Sequence, residues 1–423
     1  MLTWVVLLAV LGLIALGRFR IEIVALTGLL LLGIAGVAPP GIIFSGFGHP
    51  ALATIIAVFF MSQGIINSGL MLGLGQTLAR RTHSQSGQIL SVAFAGAILS
   101  AFMNNVGAIG LMLPTAIRMS SRTRINPGSF GLLLSIASIL GGAITMIGSA
   151  PNIIIASYIL SSSGQSLKMF DFAPHGLAML FTALLVWLFC KKWVMNLVTT
   201  DAGEPMVLGG STVTLDSNVS REVIRFAPLS TRERRVTFMV ILLAVLVVSL
   251  GLHPALGFGG AVLLMFYHNI LRTPAAYKSI DMKIVLFLGA MLGIGQTLEY
   301  TGALQPLSAV LIIFTEGLSP LVLITLLIFV SSALSNAINN AAAAVFMAPI
   351  ALEVALGGNL ETTAALMAVA AGSNMTLLLP THQATLMVMS RAPFPTTSFI
   401  RLGLVLTIFC GLMGAAVITL VWQ

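Results

Sequence analysis

Two adjacent asparagines recur at the same place in two long apolar stretches, Asn104–Asn105 within residues 87–117 and Asn339–Asn340 within residues 322–352. Ser100 and Ser335 precede the pairs, Pro114 and Pro349 follow them, and every one of these positions repeats at an offset of 235. A carboxamide carries a neutral carbonyl acceptor and a neutral donor in one side chain. Inside lipid-depth sequence such a group is costly unless something uses it. If the chain turns at the pair, the first limb ends in free carbonyls that attract cations. The second limb begins with free N–H groups that attract anions. With a serine hydroxyl one turn earlier, this is a set suited to a desolvated Na⁺ beside an anion. One such pair could serve only as interhelical glue, but two at symmetric positions point to a transport site.

The elements that must position these residues are membrane helices. The chain has 423 residues, 58% hydrophobic and 8% charged, and apolar runs of about 20 residues recur throughout, the length that crosses a bilayer core. The short alternating strands of a β-barrel are missing from the pattern. The run 2–16 has no preceding basic residue and no cleavage site, so it reads as a span and not a signal peptide. Cys190 and Cys410 lie in different apolar segments, which argues against a disulfide framework or metal cluster. The net charge of +8 fits basic cytoplasmic loops rather than nucleic acid.

Apolar segments fall at 2–16, 21–38, 51–77, 87–117, 127–160 and 172–190, then at 236–251, 256–271, 284–312, 322–352, 362–390 and 399–421. The reading is therefore a first repeat over 1–197, a cytoplasmic linker over 198–235 and a second repeat over 236–423. Ser68-Gly69 against Thr301-Gly302 adds to the repeat. With the N-terminus outside, nineteen of the twenty Lys and Arg fall inside, and only Lys168 falls outside. This holds if 87–117 and 322–352 each enter and leave on one face. A straight helix of 31 residues would be about 46 Å, too long for a core of about 30 Å. Two limbs meeting at the Asn pair would be about 25 and 18 Å. The alternative is a tilted helix kinked at its proline. The expected fold is an all-α polytopic membrane protein of two inverted repeats, each of five transmembrane helices and one re-entrant hairpin.

The segment after each hairpin is also interrupted. In 127–160 the break runs Gly141-Gly-Ala-Ile-Thr145-Met-Ile-Gly148-Ser149-Ala150-Pro151-Asn152. In 362–390 it runs Gly372-Ser-Asn-Met-Thr376, then Leu-Pro380-Thr381-His382-Gln383. Paired interruptions in inverted repeats mark the midplane site of secondary transporters. Neither hairpin centre nor either break contains Asp, Glu, Lys or Arg, and Glu299 lies well inside a span but towards its outer side. A proton-coupled antiporter would need a central carboxylate, so the pattern favours an anionic substrate. His382 is open to three roles: contacting substrate, carrying a proton, or serving structure alone.

These residues resemble the divalent-anion:sodium symporter family of the ion transporter superfamily, over nearly the whole chain. Its Ser-Asn-Thr tip signature corresponds to Asn104-Asn105-Val106 and Asn339-Asn340-Ala341, and its Gly-Thr-Pro-Pro-Asn element to Gly148-Ser149-Ala150-Pro151-Asn152. The resemblance implies one Na⁺ at Ser100, Asn104 and Asn105 with backbone near Thr145. It implies a second at Ser335, Asn339 and Asn340 with backbone near Thr376 and Thr381. It places the anion against Asn105 and Asn340, and Val106, Gly107, Gly148, Ser149, Ala341, Thr381 and His382 are the further candidates to line the substrate. It also implies a homodimer, an elevator motion and no organic cofactor. Both serines of the signature are Asn here and both threonines are apolar, a departure that points away from C4-dicarboxylates. Leu-Pro380-Thr381-His382-Gln383 is closer to the sulfate-permease-like members.

The expectation is a plasma (inner) membrane carrier that imports a sulfate-like oxyanion, or a small carboxylate or sulfonate, with Na⁺. Arsenite efflux or Na⁺/H⁺ antiport on the same fold are the rivals. An intramembrane hydrolase would need a serine nucleophile beside His382, and no Gly-x-Ser-x-Gly turn occurs.

Overall fold

The computed structural model describes residues 2–16, 18–68, 84–123, 125–164, 166–200, 231–303, 317–357 and 360–423. Every described regular element is helical. In the first half these are α1 (Leu2–Ala15), α2 (Ile21–Ile34), α3 (Pro40–Ile43), α4 (Pro50–Ser68), α5 (Gln85–Phe102), α6 (Asn105–Thr123), α7 (Pro127–Gly142), α8 (Ala150–Ser163) and α9 (Ala173–Thr200). A single 3₁₀ turn, Ser45–Gly48, joins α3 to α4. The second half repeats the order with α10 (Thr231–Ser249), α11 (Pro254–Tyr267), α12 (Thr273–Lys278), α13 (Met282–Tyr300), α14 (Pro320–Ala337), α15 (Asn340–Gly357), α16 (Thr362–Asn374), α17 (Gln383–Met389) and α18 (Thr396–Trp422). Seven of the described helices are long and apolar enough to cross a membrane: α4, α5, α9, α13, α14, α15 and α18. Most of the expected linker, along with Gly69, Arg80, Arg81 and Arg124, lies outside the described residues; α9 continues to Thr200 and α10 starts at Thr231.

The helix is interrupted at both Asn pairs. At the first, Met103 is extended (φ −148°, ψ 164°); at the second, Ile338 leaves helical geometry (φ −111°, ψ −84°). The limbs on either side pack against each other, α5 on α6 and α14 on α15. Pro114 and Pro349 lie inside the second limbs and do not end them. With 18 or 19 residues per limb, each is about 27 Å long at 1.5 Å per residue. The second limbs are therefore longer than the sequence pattern predicts. Arg118 Nε donates to the Pro114 carbonyl at 3.2 Å, and the polar end of α6 stays helical.

Contacts recur between equivalent elements. The first limb of each hairpin packs on the first limb of the broken helix that follows it, α5 on α7 and α14 on α16. At both crossings a glycine lets backbone meet backbone. A Cβ on Gly141 would sit 2.6 Å from Ala97 Cα, and one on Gly372 would sit 3.0 Å from the Ile328 carbonyl carbon. Small residues at such points let helices approach closely enough for dispersion to hold them. Across the halves the contacts are reciprocal: α8 packs on α15 and α16, while α17 packs on α6 and α7. The helices fall into two packed groups. One holds α1, α2, α4, α10, α11 and α13. The other holds both hairpins, both broken helices, and α9 against α18. Between them α4 touches α8 and α13 touches α15. Leucines and phenylalanines on α9, α10 and α18, among them Phe189, Leu242 and Phe409, stay exposed as a lipid-facing surface requires.

The glycine crossings generate a prediction. Gly141→Ala and Gly372→Ala each destabilise by about 1–3 kcal/mol through overpacking, read as a lowered melting temperature in detergent. Gly259→Ala, on α11 with nothing within 4 Å of the added carbon, holds or raises it, because alanine favours a helix interior over glycine by about 0.5–1 kcal/mol.

Candidate functional site

The site is built where the hairpin tips meet the two broken helices. At the first tip, Asn104 caps α6, its Oδ1 accepting from Gly107 N at 2.7 Å. Asn105, 7% exposed, follows as the first helical residue. Ser100 Oγ donates back across the tip to Asn105 Oδ1 at 2.6 Å. The other end of the same amide, Nδ2, lies 3.4 Å from His382 Nε2, at the start of α17 in the opposite half. Val106 and Gly107 continue the first turn of α6, partly buried.

The break between α7 and α8 closes on this tip. Gly142 and Gly148 leave room for oxygens: a Cβ on Gly142 would sit 2.6 Å from Asn105 Oδ1 and 3.1 Å from the Gly148 carbonyl oxygen. A Cβ on Gly148 would sit 2.9 Å from the Ser100 carbonyl oxygen. Buried Thr145 donates to the Ala101 carbonyl and accepts from Gly148 N at 3.2 Å. Ser149 precedes α8, and its buried Oγ has no partner among the described residues.

The second tip differs in its side chains. Asn339 caps α15 through Ala342 N at 2.8 Å, as Asn104 caps α6. Asn340 and Ala341 are partly buried, and no hydrogen bond from the Asn340 side chain occurs among the described residues. Ser335 Oγ donates to the Ser373 carbonyl at 2.6 Å. Thr381 is exposed and donates to the Asn336 carbonyl at 3.3 Å. Thr376 Oγ1, Ser373 Oγ and Asn374 Oδ1 are buried without partners among the described residues.

Three asparagines outside the candidate ligand sets, one of them the Asn152 of the quoted motif, carry the breaks. Asn336 binds both sides of the second one: Nδ2 donates to the Ser332 and Met375 carbonyls (2.8 and 3.1 Å), and Oδ1 accepts from Leu378 N and Leu379 N at 3.0 Å each. Ser332 and Asn336 lie four apart on the buried face of α14, a spacing that could have flagged them. Asn152 does the same for the first break from α8, donating to the carbonyls of Gly142, Ala143 and Thr145, nearest at 2.8 Å. Asn374 Nδ2 then donates to Asn152 Oδ1 at 2.7 Å, joining the two breaks across the halves.

Neutral oxygens and N–H donors thus gather where two helices start and two are interrupted. Comparison with known proteins agrees in kind. A family model described as "Citrate transporter" matches residues 11–372. The chain belongs to the citrate transporter family. Among curated members and relatives, the Escherichia coli transporter YfbS is 27% identical over 55% of this chain and 37% of its own. A probable sodium/sulfate cotransporter of Chlamydomonas reinhardtii is 28% identical over 31% of this chain and 16% of its own. The chain thus spans well under half the length of these relatives. A Mycobacterium tuberculosis transporter is 24% identical over 93% of this chain and 92% of its own. Among solved structures, Neisseria gonorrhoeae MtrF superposes with a TM-score of 0.59 over 94% of this chain and 84% of that one, at 13% identity. Alcanivorax borkumensis YdaH gives 0.54 over 90% and 87%, at 15% identity. These two share the fold of this family member. The matched family and relatives are transporters and not enzymes.

The Asn152–Asn374 bond generates a prediction. Asn374→Ala leaves Asn152 Oδ1 unpaired and costs about 1–3 kcal/mol. Asn152→Ala removes the donor shared by the Ala143 and Thr145 carbonyls as well as the acceptor of Asn374, and costs more. The double variant loses less than the sum, by about 0.5–3 kcal/mol, as expected for one network; reversible unfolding in mixed micelles measures the cycle.

Proposed function

We propose that the chain is a secondary active transporter that imports a small anion together with Na⁺. The supporting observation is the Asn105 side chain. Its oxygen faces the hydroxyl of Ser100 and lies close to the glycines of the first break. Its nitrogen faces outward toward the opposite half. One fixed amide thereby offers a carbonyl to a cation and an N–H to an anion, which couples the two occupancies. Ser100, Asn105 and the carbonyl of Gly148 would hold one Na⁺, with Asn104 and Thr145 shaping the tip. The unpartnered buried oxygens of Ser373, Asn374 and Thr376, with Ser335, Asn339 and Asn340, fit a second. These are neutral oxygens, the donor type that suits a hard monovalent cation. The start of α6 would meet the anion.

The substrate class is a compact oxyanion or a small carboxylate or sulfonate. Sulfate is the first choice, because relatives are named sodium/sulfate cotransporters, and the family description adds citrate. The hairpin group would move as one unit against the α1–α2–α4 and α10–α11–α13 group, an elevator within a homodimer of two inverted repeats. The charge pattern places the N-terminus outside and the 198–235 linker in the cytoplasm of a plasma-membrane protein.

A thermal-shift screen of purified protein tests this, comparing Na⁺ with choline across sulfate, thiosulfate, taurine, succinate and citrate. An anion that stabilises only in Na⁺ is the expected result. Shifts that ignore Na⁺ and follow pH or arsenite favour antiport or efflux instead. In liposomes, Asn105→Ala and Asn340→Ala each abolish Na⁺-driven uptake of that anion while the protein stays folded; near-normal uptake by both overturns the site.

A further inference from the structure

We infer that His382 is locked as a neutral imidazole with its proton on Nε2, and that this N–H and the Asn105 amide N–H form a two-donor clamp for one oxygen of the transported anion. The inference rests on the anion reading above and assigns the protons with which His382, from the opposite half, would meet the ligand. Three contacts fix the protons. His382 is the N-cap of α17, and its Nδ1 accepts from Ala384 N at 3.1 Å. A ring nitrogen that accepts carries no proton, so a neutral ring must carry it on Nε2. Ser100 Oγ sits 2.6 Å from the near end of the Asn105 amide. That separation belongs to O–H···O contacts and is short for N–H···O, so the carbonyl faces Ser100 and Nδ2 faces His382. The 3.4 Å between Asn105 Nδ2 and His382 Nε2 therefore separates two donors. Two N–H groups turned toward each other repel unless an acceptor lies against both.

An oxyanion oxygen is such an acceptor. Asn105 is 7% exposed and His382 partly buried, so the clamp is screened but reachable. The groups belong to opposite halves, and α6 packs directly on α17. The Nδ1 acceptor contact also keeps α17 capped, so the ring is positioned to donate through Nε2. The only other ionisable side chain on α17, its flanking turn or α6 and α7 is the basic set Arg118, Arg122 and Arg391. All three are at least partly exposed at the helix ends, beyond the clamp.

The test has two arms. Magic-angle-spinning spectra of ¹⁵N-histidine-labelled protein in liposomes, with His382→Asn as the difference sample, read the tautomer directly. The expected signal is one ring with a protonated Nε2 and a bare Nδ1. A ring protonated on Nδ1 overturns the inference whatever the anion is. In the second arm, sulfate, citrate and taurine are titrated into wild type and His382→Asn in Na⁺. Asn can still cap α17 but has no donor at the Nε2 position. The variant should keep its ligand-free melting temperature and lose about ten- to a hundredfold in apparent affinity for whichever anion stabilises wild type, the loss of a charge-assisted hydrogen bond. Equal affinity in the two proteins overturns the clamp. If no anion shifts wild type, the anion reading of the site fails and the clamp with it, while the spectrum still decides the tautomer.

Discussion

A backbone carbonyl or amide freed from a helix within hydrocarbon has no water to bind, and each one left unpaired costs several kcal/mol. The architecture follows from this constraint. Interrupting the helices at the two Asn pairs and at the two breaks exposes many such groups. The chain resolves them with side-chain amides. Asn336 satisfies two N–H groups and two carbonyls with one side chain, and Asn152 collects the carbonyls that α7 leaves behind. Asn104 and Asn339 each take one of the N–H groups at the start of a second limb. Asparagine suits the task because it donates and accepts without charge, so no desolvated ion has to be offset in the core.

The coarse fold was open to sequence reasoning because it is set by composition and period. Apolar run length gave the helices, and the Asn pairs with Gly141-Gly142 and Gly372 gave the places where they stop. The supporting network was not. Asn336 lies in a run of small and polar residues, Ser331 to Asn340, where one more amide attracts no notice. Asn152 and Asn374 are 222 positions apart, and nothing local pairs them. Limb length was also misjudged. The apolar runs end at 117 and 352, yet α6 and α15 continue to Thr123 and Gly357, and the proline inside each costs one hydrogen bond and a local clash that neighbouring helices can absorb in a membrane.

The two halves share a backbone plan and divide its chemistry differently. In the first, the residue that rescues the break lies after it, on α8. In the second, the rescuer lies before it, on the hairpin limb α14. Ser100 is paired with the tip asparagine, whereas its counterpart Ser335 is turned to the Ser373 carbonyl. The Asn105 amide is engaged at its oxygen, and Asn340 stands with no such tie among the described residues. Equivalent positions therefore do not imply equivalent sites.

That difference bears on how such a molecule could move. The Asn374–Asn152 bond joins the halves at full burial, and both residues belong to the group of hairpins and broken helices. The α6–α17 and α8–α15 contacts lie within that group as well. A motion that separated the first half from the second would strand Asn152 Oδ1 in the core, at about 1–3 kcal/mol, and would open the α6–α17 and α8–α15 contacts. A motion that carried the whole group past α4 and α13 breaks none of these. The polar network thus favours the division between the two packed groups over the division between the two repeats. Any motion of this molecule has to keep the buried Asn152–Asn374 pair together or leave its polar atoms without partners in the core.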